Sequence, residues 1–106
     1  MSSVLKQKGY KLYMTNSGEN ALKFLEETLP DLILLDVMMP GLSGFEVCRI
    51  IKQQEKFKNI PVIFLTAKNE VEDIIEGFEA GAVDYIIKPF YAKEVFVRIS
   101  THLQLH

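Results

Sequence analysis

The sequence predicts an α/β fold with a doubly wound parallel sheet, and two features carry that prediction. Leu32 to Leu35, Val62 to Leu65 and Val83 to Ile87 are nearly continuous apolar runs, the pattern of strands covered on both faces. Between them lie stretches with apolar residues at helical spacing. Strands alternating with helices give βαβ units, hence parallel pairing, right-handed crossovers and helices on both faces.

Taken in order, residues 2–8 leave room only for a helical stub of about two turns. Tyr10 to Met14 reads as the first strand. Ala21, Leu22, Leu25 and Leu29 follow as an apolar helical stripe, with Asn16 or Ser17 as N-cap and Glu19 in the first turn. After the strand Leu32 to Leu35, Ser43 and Glu46 have the spacing of a capping box ahead of Val47, Ile50 and Ile51. The next strand is Val62 to Leu65. The third helix starts near Asn69, carries Val71, Ile74, Ile75 and Phe78 as its stripe, and stops at Gly81, a residue suited to a left-handed C-terminal position. Val83 to Ile87 is the last strand, and Val95, Ile99 and Leu103 share one face of the last helix. Four strands are thus read from the sequence.

A chain of 106 residues makes one domain, burying about 65% of its unfolded surface. Its net charge of -2 and pI near 5.7 exclude a general affinity for nucleic acid or anionic lipid, which needs a basic face. No apolar run approaches the roughly 20 residues of a membrane span, and residues 1–8 lack a signal-peptide core, so a cytoplasmic location is the expectation. Cys48, the single cysteine, falls in an apolar helical pattern and reads as a small core hydrophobe. His102 and His106 stand four apart, a spacing able to hold a metal on a helix, but no third ligand is near. Met38 and Met39 read as loop and packing residues.

Asp36, Thr66 and Lys88 each come directly after an apolar strand. In a parallel sheet such strand ends share one edge, the edge where these folds bind ligands. Singly, each has a dull explanation: a turn or cap Asp, a structural Thr, a solvated Lys before Pro. Together, they place an acid, a hydroxyl and an ammonium in one crevice. An Asp carboxylate attacks phosphorus to form an acyl phosphate if the phosphoryl oxygens are neutralised. Lys88 is a point charge suited to that task, Thr66 can donate its hydroxyl, and Ala67 leaves the approach open. A cation such as Mg²⁺ is needed as well, because Asp36 and a phosphoryl group repel each other.

Three stretches resemble the receiver domains of two-component response regulators. They are Leu32-Ile-Leu-Leu-Asp-Val-Met-Met-Pro-Gly-Leu-Ser-Gly-Phe-Glu46, Ile60-Pro-Val-Ile-Phe-Leu-Thr-Ala67 and Gly77-Phe-Glu-Ala-Gly-Ala-Val-Asp-Tyr-Ile-Ile-Lys-Pro-Phe90. The resemblance covers the whole chain and implies a flavodoxin-like (βα)5 pattern. It implies that Asp36 accepts phosphate from a sensor histidine kinase or phosphotransfer protein and that Thr66 and Lys88 contact the phosphoryl oxygens. Asp36 and the backbone carbonyl of Met38 would ligate Mg²⁺. It further implies a cis peptide at Lys88-Pro89, which only an X-Pro bond reaches cheaply, and a switch pairing the rotamer of Tyr85 with Thr66. Modification would then repack the face of the third helix, last strand and last helix, where an output domain or protein binds. A homodimer is compatible with this reading. So is a role as regulator rather than enzyme, without direct nucleic-acid or membrane contact. Phe90 is expected beneath the switch face, and Val83 stands where an acidic or polar residue is frequent.

One departure is large. Receiver domains begin with a strand ending in an acidic pair that holds Mg²⁺, and nothing before Tyr10 supplies either. Glu19, the nearest carboxylate, follows the next strand and does not fit that role. The chain 1–106 is therefore expected to be a receiver domain incomplete at its N-terminus, with no output domain following. Weaker cation binding and slower phosphotransfer should result. The alternative is a receiver-like interaction module that is not phosphorylated. Since the family order 2-1-3-4-5 puts the missing strand in the middle, Tyr10 to Met14 must pair directly with Leu32 to Leu35, borrow a strand from another molecule, or pack poorly. An enzyme of the dehalogenase-type phosphatases would want a second Asp at position 38, where Met38 stands, and no glycine-rich nucleotide loop follows any strand.

Overall fold

Every side chain of Leu32–Leu35 and Val62–Thr66 is buried, as continuous apolar runs require of strands covered on both faces. The structure, a computed structural model, describes residues 11–15 and 17–103. Its elements are β1 (Leu12–Thr15), α1 (Gly18–Glu27), β2 (Leu32–Leu35), α2 (Gly44–Lys52), β3 (Val62–Thr66), α3 (Val71–Glu79), β4 (Asp84–Ile87) and α4 (Ala92–His102). Among the described residues four parallel strands form one sheet in the order β1-β2-β3-β4. The stub helix expected in residues 2–8, Tyr10 at the start of the first strand and Asn16 as a possible cap lie outside the described residues.

Successive strand residues point to opposite faces, and the core divides accordingly. Ile33, Leu35, Val62 and Phe64 pack with Ala21 and Leu25 of α1, Val47, Cys48 and Ile51 of α2, and Ile74 of α3. Leu32, Leu34, Ile63, Leu65 and Ile86 pack on the other face against Val95 and Ile99 of α4. Helices thus cover both sides of a doubly wound sheet. Ser17 caps α1, its side chain accepting the Asn20 N–H at 3.3 Å. Ser43 and Glu46 form the capping box of α2 in both directions. Gly81 ends the α3 turn with φ 112°, a left-handed conformation costly for other residues.

The first strand pairs directly with its sequence neighbour. Leu12, Tyr13, Met14 and Thr15 register against Leu32, Ile33, Leu34 and Leu35. At the entry to both strands, the Lys11 N–H donates to Asp31 Oδ2 at 2.7 Å while the Asp31 N–H donates to the Lys11 carbonyl at 2.7 Å. Of the three arrangements open to this segment, direct pairing satisfies its backbone along one edge without another molecule.

Two apolar stripes are narrower than their spacing suggested. Leu29 lies beyond the end of α1 and is exposed. On α3 only Ile74 packs into the core, while Val71, Ile75 and Phe78 face solvent. The reason is Gly77: a Cβ there would stand 2.7 Å from Tyr85 Cδ2 and 3.2 Å from Phe64 Cδ2. The helix therefore approaches the sheet along its Ile74 and Gly77 ridge, three residues apart, and turns the other three side chains outward. Phe90 too is partly exposed rather than tucked beneath a surface.

Candidate functional site

Parallel register brings the ends of β2, β3 and β4 level. Asp36 follows β2, Thr66 closes β3 and Lys88 follows β4. The Asp36 N–H donates to the Thr15 carbonyl at 3.4 Å, and the Lys88 N–H donates to the Thr66 carbonyl at 2.8 Å, so ladder bonds fix both backbones. The Lys88 ammonium then lies 3.2 Å from Asp36 Oδ2, across 52 residues of sequence. The Lys88-Pro89 peptide is cis. Asp36 Oδ1 accepts the Met38 N–H at 2.9 Å, which fixes the carboxylate plane. Behind it the Gly44 N–H donates to the Val37 carbonyl at 3.0 Å, and a Cβ on Gly44 would collide with the Asp36 carbonyl oxygen. α2 starts hard against the Asp36 and Val37 backbone for want of that one carbon.

Burial pushes the Asp36 carboxyl up, but the Met38 N–H, the Thr66 hydroxyl and the Lys88 charge outweigh it and hold the group below its ordinary value. Asp36 is thus anionic at neutral pH, half-buried beside one cation. It lines a cleft of about 490 Å³ with Tyr13, Thr15, Asn20, Leu35 and Lys88. An anionic oxygen nucleophile, an ammonium and a hydroxyl at one sheet edge suit the capture of a phosphoryl group.

Thr66 is buried, and its oxygen accepts the Lys68 N–H at 3.3 Å, which leaves its proton free to donate. Tyr85 touches the same loop from the other side, its hydroxyl donating to the Lys68 carbonyl at 2.8 Å. Its ring is buried against Gly77 and Phe64. Burial first, then the charges of Asp73, Asp36 and Glu76, push the Tyr85 hydroxyl up to about 12, so it stays a donor. Thr66 and Tyr85 are therefore joined through Lys68.

Thr15 and Asn20 line the cleft without having been expected there. Thr15 had a signal, being polar at a strand end like Asp36 and Thr66; Asn20 had none, because its placement depends on β1 lying next to β2. A second cluster was equally unforeseen. Asp84 accepts the Tyr85 N–H at 2.8 Å, Arg98 at 2.8 Å and faces His102 Nε2 at 3.1 Å. Burial raises its pKa, but these bonds outweigh burial and hold it low. His102 thus turns toward Asp84, and its spaced partner His106 lies outside the described residues. Among the described residues no group of three or more His, Cys, Asp or Glu side chains converges to hold a metal. None of the described helices is long and apolar enough to cross a membrane.

The response regulator receiver domain family matches residues 1–100. The chain is similar to the transcriptional regulatory protein AfsQ1 of Streptomyces coelicolor, 44% identical over 94% of this chain and 43% of that protein. It spans less than half of that relative's length. A solved response regulator from Chloroflexus aurantiacus superposes with a TM-score of 0.84 at 38% identity, covering 97% of this chain and 84% of that one. The receiver domain of the Pseudomonas aeruginosa sensor histidine kinase PA1611, solved with a magnesium ion in its active-site cleft, gives 0.80 at 30% identity over 97% and 84%. On these likenesses and on the parallel sheet beneath them, the chain belongs to the response regulator receiver domains of two-component signalling.

Proposed function

We propose that the chain is a phosphorylation-dependent switch in which Asp36 accepts a phosphoryl group from a histidine kinase or phosphotransfer protein. The contact of Lys88 with Asp36, 3.2 Å across the sheet edge, supports this reading most. In the step, an Asp36 carboxylate oxygen bonds to phosphorus as the P–N bond of the donor phosphohistidine breaks, and the imidazole leaves with the electron pair and takes a proton. Lys88 neutralises the phosphoryl oxygens and Thr66 donates its hydroxyl to one of them. As Thr66 moves, Lys68 carries the change to Tyr85, and the face of α3, β4 and α4 repacks toward an output partner.

Mg²⁺ would be held by the one carboxylate lining the cleft, Asp36, and, as the family resemblance implies, by the Met38 carbonyl, with water and phosphate oxygens completing the set. When bound, it supplies charge compensation between carboxylate and phosphoryl group. A second reading, an interaction module that is not phosphorylated, is favoured by one observation: among the described residues Asp36 is the one carboxylate lining the cleft.

Incubation with Mg²⁺ and acetyl phosphate separates the two. A base-labile mass increase that disappears in Asp36→Asn supports the switch; labelling that persists in Asp36→Asn removes the site assignment. No labelling at any Mg²⁺ concentration favours the module.

A further inference from the structure

Met14 stands in parallel register with Leu34, yet Leu34 is buried and Met14 is 59% exposed. Strand alternation sets Met14, like Leu12, on the side of the sheet that carries Leu34 and Leu65. Met14, Leu34 and Leu65 line the cleft that holds Asp36 and Lys88, and Asn20 lines it from α1. Its volume of about 490 Å³ lies in the roughly 300–1,000 Å³ range of sites that enclose an organic molecule. A phosphoryl group uses only the charged end and leaves the apolar wall in water. That charged end presents two opposite charges 3.2 Å apart, and solvent reaches both, the side chains of Lys88 and Asp36 being 43 and 20% exposed. An ammonium has three donors and a carboxylate about four acceptor positions, so each can take a second partner of opposite charge.

We propose that this cleft binds a free apolar α-amino acid of the size of leucine or methionine, its ammonium on Asp36, its carboxylate on Lys88 and its side chain along Met14, Leu34 and Leu65. The two ligand charges sit on one carbon, so both meet the Asp36 and Lys88 pair at once and each of the four charges gains an opposite neighbour. The Asn20 amide can donate to the carboxylate or accept from the ammonium. A fatty acid would bring a second anion to Asp36, and an alkylamine a second cation to Lys88. A residue inside a peptide carries neither charge. Binding rests on this geometry, and its consequence rests on the reading of Asp36 as phosphoacceptor. The amino acid occupies the carboxylate and the ammonium that a phosphoryl group needs, so an abundant amino acid holds the chain unphosphorylated.

The test is NMR titration of the isotope-labelled full chain with L-leucine, without Mg²⁺ or phosphodonor, followed at the amides of Thr15, Asn20 and Leu35. These should shift and saturate, and glycine should bind at least about tenfold more weakly, since it leaves the apolar wall uncovered. Isocaproate and isopentylamine, each lacking one charge, should also bind at least about tenfold more weakly than leucine. Lys88→Met should weaken leucine by a similar factor, and Met14→Ser should weaken leucine about threefold or more while leaving glycine unchanged. Both side chains reach solvent, so circular dichroism should show the fold intact. Equal affinity for leucine and glycine, a singly charged analogue that matches leucine, or affinity unchanged in Lys88→Met overturns the proposal. Leucine at ten times its dissociation constant should slow labelling of Asp36 by acetyl phosphate about tenfold, and an unchanged rate overturns the regulatory consequence. A chain that binds leucine but is never labelled sinks the switch and not the site, so the two failures are told apart.

Discussion

The Lys88 ammonium stands 3.2 Å from the Asp36 carboxylate, and the Lys88 backbone is tied by a 2.8 Å hydrogen bond to Thr66. One residue thus joins the nucleophile to the hydroxyl strand. Lys88→Met should raise the Asp36 pKa toward its ordinary value, measured by NMR titration of the carboxyl carbon. Labelling by acetyl phosphate should slow by about 10- to 100-fold, since a charge aimed at the phosphoryl oxygens is lost. Lys88 is exposed, so stability should change by less than about 1 kcal/mol. Unaltered labelling would remove Lys88 from the site.

Gly77→Ala tests the close approach of α3. In an open helix the change would stabilise by roughly 1 kcal/mol. Here the new Cβ meets Tyr85 ring carbons at 2.7 and 2.9 Å, so overpacking should win and destabilise by about 1–2 kcal/mol. The Tyr85 ring should move with it, lengthening its contact with the Lys68 carbonyl. Urea denaturation and the Tyr85 ring shifts in NMR spectra report the two effects.

Asp84 predicts a pH dependence. Its folded pKa is depressed below the unfolded value of about 3.9, so its contribution is fully present above that value and is lost as pH falls through the folded pKa. Asp84→Asn should therefore cost about 1–2 kcal/mol at pH 7, a figure kept small because Arg98 is partly exposed. The gap between variant and wild type should close below about pH 4. Urea midpoints at pH 7 and pH 3 measure it. A gap that is equal at both would remove the ionised Asp84 as its source.

Cys48 should be inert in the folded chain. It is fully buried, and burial pushes its thiol up to about 11 despite Lys52 and Arg49 nearby. Alkylation by iodoacetamide at pH 8 should be at least about 100-fold slower than in urea, because both thiolate and access are lacking. Comparable rates, followed by mass, would show the α2 face to open readily.

Much of the fold was legible because its signals are local. The runs Leu32 to Leu35 and Val62 to Leu65 declared buried parallel strands. Ser43 with Glu46 declared a helix start, and Asp36, Thr66 and Lys88 declared a common edge by each following a strand. The sheet faces follow from alternation alone.

Other features depended on distances that no spacing encodes. Parallel register, which brings the ends of β2, β3 and β4 level, sets the 3.2 Å between Lys88 and Asp36. The pairing of Leu12–Thr15 with Leu32–Leu35 depends on which edge is free for backbone hydrogen bonding, and it alone brings Thr15 and Asn20 to the cleft. The α3 stripe shows the limit most plainly. Val71, Ile74, Ile75 and Phe78 are equivalent in periodicity, yet a glycine among them lets the helix settle on its neighbouring ridge. Periodicity fixes which residues share a face, and the closest approach of backbones fixes which face is buried.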